Sequence, residues 1–579
     1  MKLLLKFVSK YKRLLLFLIL SFSVVATFQV WNAVFVAEIT ARTVDALKSG
    51  IAEKIYVDML SDTTIKMLLM ATGIGAFTIL CGKLAGRVAI RVAEDIRRSL
   101  YEKTMTFSLK EINYFGVSSM INRNTNDVLQ VQGGLYMLLT TALPVPFLVI
   151  GGFLGLSQYG NKMLLRVILG IISMCAVFVV FIYKAAPLFQ RMTSELDLLN
   201  RVTREGLSGV QILRALNREK WNGDRMREYS AKLRKTAEGT TFTGEMLQPT
   251  IYLVFNLLIV SILWNGGHYV HENMMNIGDV VAYISYLYMI VSGMIMAMMA
   301  CFQIPAVLIS MKRIGEILST EPSIASGKGV NINTLPDYAV EFENVSFRYS
   351  EDSRMVVRNI SFTAKQGELT VLLGNTGCGK TTLMQLIPRL YDASEGVIRI
   401  GGVNIRDMKL DELRSMIGYV PQRAFLYRGD IRSNIAFRDK SMEDEKVRNA
   451  AELSQSMQFI KGMKKGFAEW IAQGGSNVSG GQRQRLTIAR ALGGSPKILI
   501  LDDSASALDL ETGLKLRNAL QSIIKDLTVI FVTQRSAFLR AADKIVVMQD
   551  GCIQATGTDE ELKQSCDIYR NILQSQVGA

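Results

Sequence analysis

Histidine is almost missing from this chain: 579 residues contain two, His268 and His271. Everything C-terminal to them does its chemistry without imidazole as base, proton shuttle or metal ligand. Cysteine is scarce too. Cys81, Cys175, Cys301, Cys378, Cys552 and Cys566 lie far apart, with no CxxC pair among them. That spacing argues against a disulfide framework or a thiolate metal site. The N-terminal apolar run follows Lys2, Lys6, Lys10, Lys12 and Arg13 and lacks a small-residue cleavage site. It reads as a retained span, not as a signal peptide. Lys and Arg are also absent between His268 and Asp279.

What the chain does have is apolar length. Hydrophobic residues make up 49% of it, which fits a membrane protein better than a soluble enzyme. Its length exceeds the usual size of one domain. Six stretches, at about 14–36, 65–89, 135–156, 164–185, 251–267 and 280–304, are long enough to span a bilayer. Between the second and third lie Arg87, Arg91, Arg97, Arg98, Lys103, Lys110 and Arg123, and Lys184 through Lys235 bring a similar excess between the fourth and fifth. By the positive-inside rule the N-terminus, both long loops and the C-terminal part are cytoplasmic. The loops are polar and helically patterned, so helices running past the membrane fit them best. The net charge of +15 follows the same division: 32 basic residues meet 29 acidic ones from Asp337 onward, against 34 and 22 before it. Membrane topology accounts for that excess, and no nucleic-acid partner is needed.

Residues 1–320 are thus expected to form a transmembrane domain. The Pro-, Ser- and Gly-bearing stretch that opens with Glu321-Pro322-Ser323 reads as a linker over 321–336. From 337 to 579, short apolar runs alternate with amphipathic helices, an α/β pattern. Within it Gly374-Asn375-Thr376-Gly377-Cys378-Gly379-Lys380-Thr381 fits G-x-x-x-x-G-K-[ST], between an apolar strand and a helix that opens at Thr381-Thr382. Glycines let backbone N–H groups curl around phosphates, Lys380 would reach the β/γ-phosphates, and Thr381 would ligate Mg²⁺. Cys378 reads equally as a reactive thiol or an incidental loop residue. Ile498-Leu499-Ile500-Leu501-Asp502 is an apolar strand ending in a carboxylate that can hold Mg²⁺ through water.

Further along, Val478-Ser479-Gly480-Gly481-Gln482 opens a helix with small residues and offers a second anion-binding surface. Together these motifs resemble the ATP-binding cassette (ABC) transporter family, whose L-S-G-G-Q signature the run matches except at Val478. The resemblance implies that Tyr349 stacks on adenine and that Gln422 is the Q-loop glutamine beside Mg²⁺. Ser506 and Asp509 fall in the D-loop. Asn122-Arg123-Asn124-Thr125-Asn126-Asp127-Val128 is similar to the family's S-R-L-T-N-D-V stretch, and Arg214–Glu219 occupies the corresponding place in the second cytoplasmic loop. The implied architecture is a six-helix transmembrane bundle with long cytoplasmic helical loops, fused to an α/β P-loop ATPase domain. Short transverse helices of those loops would dock on the cassette.

The departures from the family pattern are as telling. Asp503 stands where a catalytic glutamate is usual, and Gln534 where a histidine contacts the γ-phosphate. A carboxylate one methylene short sits roughly 1 Å off position, which can cost ~100-fold in rate. Gln534 can donate a hydrogen bond but cannot shuttle a proton. With its signature intact, the chain resembles the degenerate-site subunit of heterodimeric bacterial multidrug exporters. It would bind ATP and Mg²⁺ in the cytoplasmic membrane, beside a second, non-identical half-transporter, and move a lipophilic small molecule. Peptide or lipid export, import of siderophores on the same fold, and a non-transporting regulatory role are the alternatives, as is a slow homodimer. Glu38, Arg42 and Asp45 could gate the outer mouth or simply end a helix in solvent. Met289, Met294, Met296, Met298 and Met299 suit either a promiscuous pocket or ordinary packing.

Overall fold

The computed structural model describes residues 2–49, 53–159, 163–330, 335–504 and 508–577. By contacts the chain divides into two compact units: Met1–Lys103 with Ser118–Thr320, and Thr104–Val117 with Glu321–Ala579. The segment 104–117 therefore interrupts the first unit in sequence and belongs to the second.

The first unit is helical. Leu3–Ser49, Leu60–Met105, Val117–Ser157, Leu164–Ser208, Glu219–His271 and Ile277–Ser319 are each long and apolar enough to cross a membrane, and each contains one of the six apolar stretches. At 1.5 Å per residue, about 40 residues reach roughly 60 Å, twice a bilayer's hydrocarbon core. The excess length carries the polar loop sequences as helix. Glycine lets the third and sixth helices close up: a Cβ on Gly155 would meet the ring of Tyr286 at 2.3 Å, and one on Gly152 would meet Ile290 at 2.4 Å. Tyr283 and Tyr286 are fully buried there. Met298 packs in the same core and Met289 in a smaller cluster with Ala26 and Leu148, while Met299 is exposed, so the methionines divide between packing and surface.

The third helix carries π-helical segments at Arg123–Asp127 and Leu138–Ala142. Such one-turn distortions re-aim side chains. Here they turn the Asn122–Val128 motif onto the sixth helix. Arg123 donates from Nη1 to the Arg313 carbonyl at 2.5 Å and to Glu316 at 2.8 Å. Asp127, buried, pairs with Arg313 at 3.3 Å and accepts from the Ser310 hydroxyl at 3.3 Å. At the other end Glu38 and Arg42 form an i,i+4 ion pair, the solvated-helix arrangement rather than a free acid.

The second unit is α/β. Its strands in chain order are β1 (Val340–Phe347), β2 (Val357–Ala364), β3 (Leu369–Gly374), β4 (Glu395–Ile400), β5 (Val403–Asn404), β6 (Ile417–Val420), β7 (Gly429–Asp430), β8 (Trp470–Ile471), β9 (Ile498–Asp502), β10 (Thr528–Val532), β11 (Lys544–Gln549) and β12 (Cys552–Gly557). The main sheet runs β12-β11-β3-β10-β9-β6, parallel except at β12. An antiparallel sheet, β2-β1-β4-β5, stands beside it. Continuous apolar runs suit central strands covered on both faces, and β3, β9 and β10 are buried along their whole length. Residues 321–330 are not a free tether. Ser326 accepts from the Leu410 amide at 3.2 Å, and Gly327 donates to the Met408 carbonyl at 3.1 Å.

The short helix Leu109–Phe115 packs in this unit. Ser108 and Glu111 cap it reciprocally, and Asn113 donates to the Tyr391 hydroxyl at 2.8 Å. Burial works against the Glu111 charge, yet hydrogen bonds from Ser108 and Ser323 leave its carboxyl below its ordinary value.

Candidate nucleotide site

Chemistry gathers where parallel strands end. β3 delivers Gly374, β9 ends at Asp502, β10 leads into Thr533 and Gln534, and β6 is followed two residues later by Gln422. The carboxyl edge of such a sheet is where α/β folds place ligands. A cavity of about 650 Å³ lies there, lined by Thr376, Gly377, Gly379, Lys380, Thr381, Thr382, Gln422, Asp502, Asp503, Gln534 and Arg535, among others.

The loop's backbone requires its glycines. Gly377 and Gly379 have φ of +87° and +99°, a region that side chains avoid. A Cβ at Gly379 would also press on Val357 at 2.7 Å. Lys380 folds over the loop, its Nζ donating to the Gly374 and Asn375 carbonyls at 2.8 Å each. Cys378 is buried, with Sγ 3.5 Å from that ammonium, so a buried loop position fits it better than an exposed reactive thiol.

Thr381 donates from Oγ1 to Asp502 Oδ1 at 3.0 Å. The other Asp502 oxygen, Oδ2, is buried without a hydrogen bond. Burial raises the Asp502 carboxyl above its usual range, opposed by the Thr381 hydrogen bond; the neighbouring Asp503 charge raises it further. An orphaned carboxylate oxygen beside a threonine hydroxyl, with Gln422 on the same wall, is an all-oxygen donor set that fits a hard divalent cation such as Mg²⁺. A bound cation would supply the positive charge that this buried carboxylate lacks.

Asp503 sits on a strained backbone, φ +47°, with its N–H fixed to the Val532 carbonyl at 2.9 Å. Its carboxyl too is raised by burial, while a hydrogen bond with Gln422 and the charges of Lys380 and Arg535 pull it back. Gln534 donates from Nε2 to the Gly374 carbonyl at 2.9 Å, the same oxygen that Lys380 uses. Arg535, given no role from sequence, lines the cavity and anchors its guanidinium on the Leu508 carbonyl at 2.5 Å. Adjacency to Gln534 was its only signal.

Tyr349 is not on this wall. It is 43% exposed, shares a hydrogen bond with Thr382 at 2.8 Å, and stands edge-on to Tyr391 with ring centroids 5.3 Å apart. It lines a neighbouring cavity of about 310 Å³. Gly374, Asn375 and Cys378 form the loop without lining the larger cavity.

None of Val478, Ser479, Gly480, Gly481 and Gln482 lines it either. Ser479 caps the helix Gly480–Gly493, its Oγ accepting from the Gln482 amide at 3.2 Å while Gln482 returns the bond to the Ser479 N–H at 3.0 Å. Ser479 and Gly480 are exposed, and open space surrounds a Cβ built at Gly480. Asp509 caps the helix Leu510–Ile523, accepting from the Thr512 amide at 3.0 Å, and that hydrogen bonding lowers its carboxyl. Ser506 lies outside the described residues.

A phosphate-cradling ATPase fused to six spanning helices defines an ATP-driven transporter of the membrane. Residues 14–295 match the ABC transporter transmembrane region and residues 357–506 the ABC transporter family. The chain belongs to the ABC transporter family. It is 36% identical over 498 residues to YfiB of Bacillus subtilis, an uncharacterized ABC transporter ATP-binding protein, covering 85% of this chain and 86% of that one. An ATP-dependent lipid A-core flippase of Syntrophus aciditrophicus is 30% identical over 494 residues, 84% of this chain and 80% of its own length. Among solved structures, a bacterial Atm1-family ABC exporter with ATP bound shares the fold, with TM-score 0.82, 21% identity and 98% of each chain covered. The chain is thus a multi-pass half-transporter of the exporter fold, with an ATP-binding domain whose ATPase activity is coupled to transport.

Proposed function

We propose that this chain is the hydrolysis-impaired half of an unlike pair that exports lipophilic or multidrug compounds across a bacterial cytoplasmic membrane. The observation that carries this reading is the pairing of a nucleotide cradle with two altered chemical positions. Lys380, Thr381 and Asp502 are set to hold Mg-ATP, while Asp503 is a methylene short and Gln534 has an amide where proton chemistry wants an imidazole. The exposed Ser479–Gly480 surface, away from the chain's own cavity, supports a role in completing a partner's site. The basic loops support a cytoplasmic N-terminus and ATPase domain.

In this mechanism, backbone N–H groups of the Gly374–Thr381 loop and Lys380 bind and orient the phosphates. Thr381, Asp502 and Gln422 would hold the cation. Asp503 points a short carboxylate at the position of the attacking water. ATP binding closes the cassettes and turns the bundle outward, and turnover at the partner's site resets it.

The relative named a lipid A-core flippase favours one second reading, a lipid as the transported molecule. ATP-driven accumulation assays in inverted vesicles bearing the pair test both readings, with lipophilic dyes in one arm and a fluorescent phospholipid in the other. Dye accumulation supports the first and phospholipid accumulation the second. ATP hydrolysis by the pair with neither accumulated refutes export of either kind.

A further inference from the structure

The second spanning helix, Leu60–Met105, carries an unbalanced row of cations where its apolar stretch ends. Lys83, Arg87 and Arg91 recur every four residues and so share one helix face, and all three are exposed. The same face exposes Ile79, Leu80 and Ile90. Isoleucine among exposed guanidiniums suits neither water nor hydrocarbon alone. It suits the boundary between them, where long basic side chains keep their stems in the apolar layer and their heads at phosphate depth.

The nearest carboxylate is already taken. The N-terminal segment folds against this helix, with Lys10 Nζ 3.1 Å from Asp95 Oδ2 and the Tyr11 hydroxyl donating to the same oxygen at 3.3 Å. Leu4 and Phe7 of the helix Lys2–Val8 are buried, while Lys6, Lys12 and Arg13 are exposed. Asp95 lies one turn beyond Arg91, whose charge reaches the Tyr11 hydroxyl. Lys10 and Tyr11 thus occupy the acid that Arg91 could have used. Glu94 is exposed and forms no ion pair among the described residues. Lys83, Arg87 and Arg91 make neither an ion pair nor a side-chain hydrogen bond there.

We infer that this row binds the headgroup phosphate of an anionic phospholipid in the leaflet nearest the N-terminus. Arg87 and Arg91, about 6 Å apart on neighbouring turns, present planar N–H donors that match phosphate geometry. Lys83 reaches the same headgroup from the membrane side, and acyl chain lies along Ile79 and Leu80. That apolar flank selects a lipid over a free phosphate, which would keep water around it. The surface does not depend on which molecule the transporter moves.

The test places the full-length transporter, without nucleotide, in phosphatidylcholine nanodiscs holding a trace of phosphatidylglycerol with a diazirine near its glycerol backbone. Ultraviolet light fixes the bound lipid, and mass spectrometry maps the labelled peptides. Label should concentrate on residues 79–95 and 5–16, whereas phosphatidylcholine bearing the same diazirine should not favour them, a comparison that needs no variant. Each basic residue beside an anionic headgroup is worth about fivefold in binding, so Arg87→Gln with Arg91→Gln should cut that labelling roughly 25-fold at subsaturating probe. Both side chains are exposed and unpaired, so the unfolding midpoint should not fall. Arg98→Gln, which removes a charge paired with Glu102 at 2.9 Å on the same helix, should leave the labelling nearly unchanged. Soluble glycerol phosphate should not compete. Equal labelling by the two lipids, labelling unchanged in the double variant, an equal loss in Arg98→Gln, or displacement by glycerol phosphate overturns the assignment. So does an absence of label from either lipid, the result expected of a face covered by a second subunit.

Discussion

Restoring the two altered positions is the sharpest perturbation available. Asp503 cannot compensate for its missing methylene by moving its backbone, because its N–H is tied to the Val532 carbonyl at 2.9 Å and its φ of +47° is already strained. On the proposed reading the carboxylate falls roughly 1 Å short, and Asp503→Glu should recover about 100-fold in rate, equivalent to about 2.7 kcal/mol of barrier. Gln534→His restores a group that can carry charge and move a proton, at a position whose amide now rests on the Gly374 carbonyl. The assay is steady-state ATPase of the reconstituted pair with the partner's own catalytic glutamate replaced by glutamine. In that background the unreverted chain should be close to silent, and the double reversion should raise turnover by about two orders of magnitude. The partner's signature must still close on the repaired site, so nucleotide trapping is measured alongside. Robust hydrolysis by the unreverted chain in the same background would show Asp503 to be a working base and refute the asymmetry.

Lys380→Ala removes the phosphate-facing ammonium and should weaken a fluorescent ATP analogue roughly 10- to 100-fold, the range expected for charged hydrogen bonds; equal binding would sink the phosphate-loop assignment. Gly480→Asp meets open space and should fold normally, yet it puts a carboxylate where the partner's nucleotide would rest and should nearly abolish the pair's ATPase. Turnover near wild type would mean that the signature completes no site. Ser479→Ala should act in the same direction and also cost about 1 kcal/mol of helix capping, visible in thermal unfolding. Asp502, whose carboxyl is raised by burial, destabilises the folded chain once ionised: that cost is absent below the ordinary carboxylate range and grows as pH rises through the folded-state value. Asp502→Asn should therefore raise the unfolding midpoint at neutral pH without nucleotide, an advantage that fades on acidification, and should lose the stabilisation by Mg-ATP expected of the wild type. A neutral-pH midpoint no higher than wild type would refute the burial argument.

Some of this was open to a reader of the sequence, and for physical reasons. Membrane spans announce themselves because hydrocarbon tolerates little else over 20 residues, and the phosphate loop does so because only glycine fits its backbone. Helix beyond the bilayer was legible only as polar periodicity, and the π-helical turn at Arg123–Asp127 not at all, since it depends on Arg313 and Glu316 nearly 200 residues away. Nor could spacing tell that residues 104–117 belong with the cassette unit, because that follows from the Asn113–Tyr391 bond and the capping of Ser108 against Glu111 and Ser323. Arg535 is illegible in the sequence because a basic residue in a loop carries no signal until its neighbours in space are known.

On the proposed reading, binding and chemistry are separable because they rest on different side chains of one sheet edge. The phosphate loop belongs to the end of β3 and the helix after it, whereas Asp503 and Gln534 follow β9 and β10, next to the cation ligand Asp502 at the end of β9. The loop's glycines, Lys380 and the Thr381–Asp502 bond are in place beside Asp503 and Gln534, so the proposed cost falls on the barrier and not on affinity. In an unlike pair that separation has a use. A site occupied at 100 times its Kd stabilises the nucleotide-bound state by about 2.7 kcal/mol, and a site that does not hydrolyse keeps that contribution through the partner's turnover. Two competent sites would release both clamps and let the cassettes part fully in each cycle. The proposed arrangement keeps one clamp in place, so the bundle can reset without the pair coming apart. On that argument the two substitutions are a division of labour between binding and turnover, and the intact Ser479–Gly480 surface is what this chain contributes to the turnover half.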